Sequence, residues 1–418
     1  MSANFSKEER VAFGDLLAGF DDAMVESRNV AKFGTQGELM ERANDTIWRP
    51  VPYIVTSQDR VIGTPVSTQT VNQLTVPSRL NIQKNASWVL NAKQMRDAMQ
   101  EGRLRDASFQ RLASDINTSV RNVASLQGTL VARVVGAAGD YDDIALAESI
   151  MNEQGVPMDD RHLFLNTRDY NGLAGNLAGR QNLVANKTIS AYERSQVGMV
   201  AGFNTYKTDG VQRIAAVTAT PTMATNGALV RYVPRTLDAN GNNVDNRYQQ
   251  ITVSSTTGVT AGAAFTIAGI ESVHQITKQA TGQLKTFRVI SVDSGTTMTI
   301  SPPIISANSS PSDAELQYKN CEAVTTSGTA NIVFLNAVTT GANPFWHYES
   351  IELLPGRYNV PGDQGPNIIR GSTDQGIELV MTKFFDTSTY QTLYTVDTFY
   401  GVVNTNPEMN GVLLFNQT

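Results

Sequence analysis

The chain has 418 residues, enough for two to four structural units at roughly 100–200 residues each. Hydrophobic residues make up 41% and charged residues 17%, which excludes a disordered chain and allows a real core. The net charge of −6, without a visible Lys/Arg cluster, argues against a protein that wraps DNA, because such a protein must neutralise phosphates.

The sequence also predicts neither an intrachain disulfide nor a membrane-inserted segment. The single cysteine, Cys321, rules out an intrachain disulfide and fits assembly in a reducing cytoplasm. The sequence shows neither an apolar leader nor a run of about 18 apolar residues, so neither a signal peptide nor a membrane span is expected.

The first 100 residues mix helical and extended patterns. Helical spacing of Phe13, Leu17 and Phe20 predicts an N-terminal helix, opened by a capping box of Ser6 and Glu9. Residues 44–87 are rich in Thr, Val and Pro, which predicts an extended excursion, a two-stranded ribbon. Such a ribbon is marginal alone and would gain support by lying on another chain. Residues 91–101 are predicted to be helical.

A long helix is predicted over residues 108–135, about 42 Å at ~1.5 Å per residue. An apolar stripe supports it and Gly136 would end it; the stripe comprises Leu112, Ile116, Val120, Val123, Leu130 and Val134. Beyond it, Asp142 and Asp143 would cap a helix closed by Gly155, residues 162–166 form a strand, and Thr167 begins another helix.

From residue 218 to 341 the chain is almost entirely Thr, Ser, Val, Gly and Ala. Short alternating segments, such as Met298 and Ile300, with closely spaced turn signals predict a small β-barrel or sandwich. Because the mixed character returns after Phe345, we interpret this region as an inserted domain. Asn240-Gly241 predicts a hairpin tip with a type I′ turn. An equally weighted alternative is a protruding loop that reaches a neighbouring molecule through charged side chains: Arg235, Asp238, Asp245 and Arg247.

No motif nominates a catalytic centre, so neither an enzyme nor a bound cofactor or metal is expected. The three histidines, His162, His274 and His347, lie far apart without a carboxylate or Cys at ligand spacing. Helix capping explains Asp140, Asp142 and Asp143 better than a cation site does. Each tryptophan is interpreted as an anchor in a core or interface; they are Trp48, Trp88 and Trp346.

Several motifs, in order, resemble the major coat proteins of short-tailed bacteriophages that carry an inserted β-barrel domain on the Hong Kong 97-type capsid fold. Asn44–Val51 (NDTIWRPV) is similar to the family's N-T-I-W-x-P-V, and Val200–Phe203 matches V-A-G-F. Further matches span the chain: His162–Tyr170 (HLFLNTRDY), Asn243–Gly258 (NVDNRYQQITVSSTTG), Phe345-Trp346, Tyr400-Gly401-Val402 and Asn406-Pro407-Glu408.

The resemblance implies an α+β fold and an assignment for each segment: 1–45 N-terminal arm, 46–90 extended loop, 91–155 peripheral domain with spine helix, 156–217 axial domain, 218–341 inserted β-barrel, 342–418 axial and peripheral remainder. It implies a non-enzymatic major capsid protein of the virion. Hexamers and pentamers would close, in the bacterial host cytoplasm, into an icosahedral shell around double-stranded DNA, with a scaffolding protein and a portal protein as partners.

The resemblance also implies contact residues. Arg235, Asp238, Asp245, Arg247 and Trp48 become candidates for contacts between subunits. Asp15 matches an acidic position that implies a scaffolding contact. One departure is that Ser291 replaces the family's basic partner on a later strand, with Arg288 and Lys285 nearby.

Two other classes compete with a coat protein. A β-rich tail-fibre or adhesin-like module would predict strands throughout and no long amphipathic helix. A carbohydrate-active enzyme would need two carboxylates facing a cleft, roughly 5–9.5 Å apart, and no sequence pair nominates itself.

Overall fold

A computed structural model describes ten stretches of the chain: residues 7–33, 46–52, 62–63, 70–91, 98–179, 197–225, 231–307, 311–323, 328–358 and 367–418. Ser6 of the predicted capping box and residues 92–97 of the predicted helix 91–101 lie outside them. The chain forms two compact units. The first comprises 1–47, 78–120 and 352–403, and the second 48–77, 121–351 and 404–418.

Helices and strands are both abundant, as the predicted α+β class requires. The α-helices are α1 Lys7–Ala23, α2 Val25–Arg28, α3 Ala98–Gln127, α4 Tyr141–Gln154, α5 Thr167–Gly179 and α6 Asp313–Tyr318. The strands are β1 Ala31–Lys32, β2 Thr46–Pro50, β3 Thr75–Arg79, β4 Ile82–Asn91, β5 Leu130–Val135, β6 Arg161–Asn166, β7 Met199–Val200, β8 Phe203–Thr208, β9 Arg213–Ile214, β10 Thr222–Thr225, β11 Gln249–Thr252, β12 Ala264–Val273, β13 Ala280–Val292, β14 Thr297–Ser301, β15 Cys321–Ala323, β16 Gly328–Phe334, β17 Thr340–Gly341, β18 Asn343–His347, β19 Ile351–Pro355, β20 Asn367–Ser372, β21 Glu378–Asp386, β22 Gln391–Asn404 and β23 Asn410–Gln417. Short 3-10 helices lie at Tyr348–Ser350 and Pro407–Met409.

The first unit contains a sheet in the order β1-β19-β22-β21-β20, with β4 also paired to β22. Residues 82–91 of β4 pair antiparallel with β22 over ten positions, so the last part of the predicted extended loop is a strand of this sheet. The N-terminal helix was predicted correctly. Its Phe13 and Phe20 rings meet Phe109 of α3 edge-on, at centroid distances of 6.0 and 6.2 Å.

The long helix was predicted in the right place but with the wrong end. α3 has 30 residues, about 45 Å, and stops at Gln127. Residues 130–135 instead form β5, parallel to β23. Gly128 marks the change, because a Cβ there would lie 2.6 Å from the Ala124 carbonyl oxygen and 2.9 Å from the Gly411 Cα. A helix of this length contradicts the adhesin-like alternative, which predicted no long amphipathic helix.

The second unit contains a sheet in the order β5-β23-β18-β6-β8-β7. Trp346 is fully buried and stacks on Phe164 at 4.5 Å, which in turn stacks on Tyr206 at 4.7 Å. This confirms Trp346 as a core anchor. The capping of α4 is also confirmed, because Asp143 Oδ2 accepts hydrogen bonds of 3.1 Å from the N–H groups of Gly139 and Asp140.

The inserted region forms a sheet in the order β10-β16-β12-β13-β14-β11, with β15 beside β12. Its two outer strands meet, because Met223 bridges Val253 and Ser254 N donates to Thr222 O at 2.8 Å. The sheet therefore curls round into a barrel, as predicted. Apolar side chains that alternate along the strands fill it, among them Ile251, Phe265, Phe287, Val289, Met298 and Ile300.

Candidate subunit-contact surfaces

Residues 231–249, here called the projecting loop, lead into β11 of the barrel. The buried side chain of Asn246 holds its base. Asn246 Oδ1 accepts hydrogen bonds of 3.1 Å from Tyr232 Oη and Arg235 N. Its Nδ2 donates to Arg235 O at 2.9 Å and Val244 O at 3.0 Å. One amide thus joins both arms of the loop, which fixes its direction.

The tip of the projecting loop is an Asx turn rather than the predicted type I′ turn. Asp238 Oδ1 accepts from Asn240 N at 2.8 Å and Asn242 N at 2.9 Å. A type I′ turn needs φ > 0 at both central residues, but of this pair only Gly241 has it, at +82°. The hydrogen bonds from Asn242 and Asn240 lower the pKa of Asp238, so it is ionised at neutral pH. The tip presents an anion and exposed backbone to its surroundings.

Asp245 and Arg247 bind each other. Arg247 Nε and Nη2 donate to the two carboxylate oxygens at 2.9 and 2.6 Å, a bidentate pair, and Nη1 donates to Asn404 O at 2.6 Å. Burial lowers the pKa of Arg247, but the hydrogen bond with Asp245 and the charges of Tyr248 and Asp245 together outweigh burial, so the pKa is raised. These two candidates therefore hold the loop base from within the chain, whereas Arg235 is exposed.

The two basic residues near Ser291 are not available as surface partners. Arg288 is fully buried and donates to the Ser125 carbonyl of α3, and burial lowers its pKa to about 9. Lys285 is also buried and pairs with Glu408. Ser291 donates to Asp293 at 2.7 Å. Neither Lys285 nor Arg288 is therefore exposed as a charged partner for a neighbouring subunit.

The extended loop begins with the predicted two-stranded ribbon, β2 paired with β3. The segment that leads into β3 docks on the inserted domain of the same chain. Gln317 of α6 accepts from Asn72 N at 3.1 Å and donates to Thr70 O at 2.8 Å. Tyr318 Oη donates to Asn72 O at 2.8 Å. Residues 53–61 and 64–69 of the loop lie outside the described residues.

The remaining two contact candidates differ in exposure. Trp48, on β2, is half-buried. Asp15 is exposed on α1, whereas Phe13 and Phe20 of the same helix are buried. The structure therefore brings Asp245, Arg247, Arg235 and Asp238 into one loop, while Trp48 and Asp15 lie on other elements.

Sequence reasoning missed two features of these surfaces. Asn246 was recognised only as part of a family motif, although its side-chain amide joins the two arms of the projecting loop. Helix α6 was not predicted, although its capping box was visible: Ser312 Oγ accepts from Glu315 N at 3.3 Å, and the Glu315 carboxylate accepts from Ser312 N at 2.8 Å.

Within the described stretches, no group of three or more His, Cys, Asp or Glu residues is arranged to hold a metal ion. No helix among them is long and apolar enough to cross a membrane. His162 and His347 lie on the paired strands β6 and β18. Burial, opposed by the charge of Asp160 and reinforced by that of His347, lowers the pKa of His162 to about 4.

Comparison with known proteins gives a family match and several structural matches. A sequence model described as "P22 coat protein - gene protein 5" matches residues 1–416. Among solved structures, a Mycobacterium phage Che8 chain is 10% identical, with 93% of this chain and 90% of that chain covered and a TM-score of 0.47. The capsid of cyanophage P-SCSP1u is 9% identical, with coverages of 93% and 86% and a TM-score of 0.45. The CUS-3 coat protein I-domain is 42% identical, covering 29% of this chain and 99% of that one, with a TM-score of 0.24.

The resemblance carried by the sequence motifs and the family match agree on one assignment. Because the match spans residues 1–416, the chain belongs to the P22 coat protein family: it is a major capsid protein with the Hong Kong 97-type fold, which assembles with copies of itself into the icosahedral shell of a bacteriophage.

Proposed function

We propose that this capsid protein forms hexamers and pentamers, and that the projecting loop makes the contacts between them. The single observation that carries the proposal is the contrast within that loop. Its base is held by the buried Asn246, whereas residues 239–243 at the tip are exposed. A surface that is rigid before it binds loses less conformational entropy on binding, so such a tip suits a repeated contact.

Within the loop we assign two different roles. Arg235 and Asp238 are the outward charges that meet a neighbouring capsomer. Asp245 and Arg247 bind each other and keep the loop base in shape. Exposed ion pairs contribute only about 0–1 kcal/mol each, so the outward charges set the register of the contact more than its strength.

The experiment is a charge-removal pair, Arg235→Gln with Asp238→Asn, which keeps an acceptor oxygen for the tip turn. It is compared with Glu153→Gln, which removes an exposed carboxylate charge from α4. We expect the double variant to fold with an unchanged far-ultraviolet circular dichroism spectrum and to give several-fold fewer closed shells by electron microscopy. Glu153→Gln should assemble normally. Wild-type shell yield and shell stability in the double variant would reject the assignment.

We further propose that the distal part of the extended loop lies over the adjacent subunit. Among its described residues, the loop packs on its own inserted domain at Leu74 and Val51, which contact Ile305 and Tyr318. Farther out, Ile62 is 98% exposed. A fully exposed isoleucine gains roughly 1.5–3 kcal/mol when it is buried, and a neighbouring copy would supply that burial.

The remaining partners are proposed from the family. A scaffolding protein binds the exposed Asp15 face of α1, a portal protein occupies one vertex, and the shell is assembled in the bacterial cytoplasm around a future double-stranded DNA genome. The net charge of −6 supports enclosure of DNA without sequence-specific binding, because phosphates are not neutralised by this chain.

A further inference from the structure

A cavity of about 100 Å³ lies within the second unit. Three separate parts of the chain line it: the base of the extended loop at Leu74 and Thr75, the inserted domain at Gln275 and Lys278, and the C-terminal segment at 405–408. One water needs roughly 10–15 Å³ of such space, so the cavity has room for a polyatomic ion.

Most charged groups around this cavity already have a partner of opposite charge. Arg247 is held by Asp245 at 2.6 Å. Lys319 pairs with Glu322. These pairs leave no net charge of their own at the cavity wall.

Glu408 lines the same cavity and pairs with the buried Lys285. Lys285 is further held by Gln154 Oε1 at 3.2 Å. The carboxylate of Glu408 therefore faces two lysines, Lys285 and Lys278, and one negative charge cannot balance both.

Lys278 is the exception. Its Nζ donates to the backbone carbonyl of Lys319 at 3.1 Å, and no ion pair is described for it within the stretches that the structure covers. Burial, reinforced by the charges of Lys285 and Lys319 and opposed by Glu408, lowers the pKa of Lys278 to about 8. At neutral pH the cavity thus holds one uncompensated positive charge.

The charged residue itself lies in an unusual backbone conformation. Lys278 has a φ of +56°, in the left-handed region that non-glycine residues rarely adopt. The turn is closed by Lys278 N, which donates to His274 O at 3.0 Å, and His274 Nδ1 accepts from the N–H groups of Ile276 and Thr277 at 3.2 Å.

We propose that this cavity is a binding site for a small inorganic oxyanion of the phosphate class, held by the ammonium group of Lys278, with Gln275 also in the lining. The size of the cavity admits a tetrahedral ion, and the excess of lysines over carboxylates around it favours an anion. Charge-assisted hydrogen bonds from a poorly hydrated lysine to phosphate oxygens are stronger than those between neutral groups. The site is distinct from the projecting-loop tip and does not depend on the capsomer contacts proposed above.

The test measures thermal unfolding of the full-length chain against inorganic phosphate, with sodium chloride added to keep ionic strength constant. A ligand that binds only the folded state raises the melting temperature in a saturable way. We expect a saturable rise for the wild type, with one phosphate per chain by isothermal titration calorimetry. The rise should be lost in Lys278→Met and kept in Lys278→Arg.

Two controls separate binding from general salt effects. Lys207→Met removes a lysine that is exposed on β8 and bound to Asn171, outside the cavity lining, and should respond like the wild type. Gln275→Ala leaves the lysine and its turn in place and should weaken the response several-fold, which keeps the test open if Lys278→Met does not fold. An equal rise in wild type and Lys278→Met, or a rise that never saturates in the wild type, would overturn the proposal.

Discussion

Asn246→Ala removes the side chain that joins the two arms of the projecting loop. Four hydrogen bonds of 2.9–3.1 Å are lost. Each contributes a net of about 0.5–1.5 kcal/mol, and water replaces part of them because the loop lies at the surface. We therefore expect the ordered loop to lose about 2 kcal/mol, which raises the fraction of open loop about 30-fold.

Hydrogen–deuterium exchange reports this change directly. Amides of residues 235–247 should exchange about 30-fold faster in Asn246→Ala, while amides of the barrel strands keep their protection. Shell assembly, followed by light scattering, should slow because the loop must be ordered anew at each contact. The matched control is Asn240→Ala, at the exposed tip, where exchange should be unchanged.

One result would refute the reasoning. If Asn246→Ala shows wild-type exchange in the loop and wild-type assembly kinetics, the side chain does not hold the loop and its rigidity is not needed. Faster exchange with normal assembly would refute only the second step, the link between loop order and capsomer contact.

Three further predictions concern stability and partners. Gly128→Ala would place a Cβ 2.6 Å from the Ala124 carbonyl oxygen, so the free energy of unfolding in denaturant titrations should fall by about 1–3 kcal/mol. Gly14→Ala, with open space around it, should be neutral or stabilising, and equal effects of the two variants would be inconsistent with the close approach at Gly128. The pKa of His162 is lowered to about 4, so between about pH 6.5 and 4 the unfolded chain binds a proton that the folded chain does not. As the pH is lowered through that window, the free energy of unfolding should decrease more steeply in wild type than in His162→Phe, and parallel curves would contradict this. Asp15→Ala should reduce co-sedimentation with the scaffolding protein several-fold at an unchanged melting temperature, and full retention of binding would remove Asp15 from the contact.

The sequence predicted well those elements whose signals are local. Met298 and Ile300 alternate with threonines, and their strand fills the barrel core as expected. Asp143 and Gly155 bracket α4 because capping depends on neighbours in sequence. The order of the motifs along the chain indicated the same family as the match over residues 1–416.

The failures have long-range causes. Leu130 and Val134 continue the apolar spacing of α3, but the helix stops where Gly128 passes close to Gly411, nearly 300 residues away. Similarly, Arg288 alternates with core residues and should face outward from the barrel, yet it is buried against the Ser125 carbonyl. Neither contact leaves a local pattern, so periodicity alone could not predict them.

The hydrogen bonds of Asn72 and Thr70 with α6 connect the base of the extended loop to the inserted domain. Any reshaping of the shell that displaces this part of the loop must carry α6 with it or break those bonds. Genetic lesions in one segment are therefore expected to acquire second-site suppressors in the other, although about 240 residues separate them along the chain. If the extended loop lies over an adjacent subunit, as proposed, the stability of the barrel also affects a contact that the barrel itself does not make.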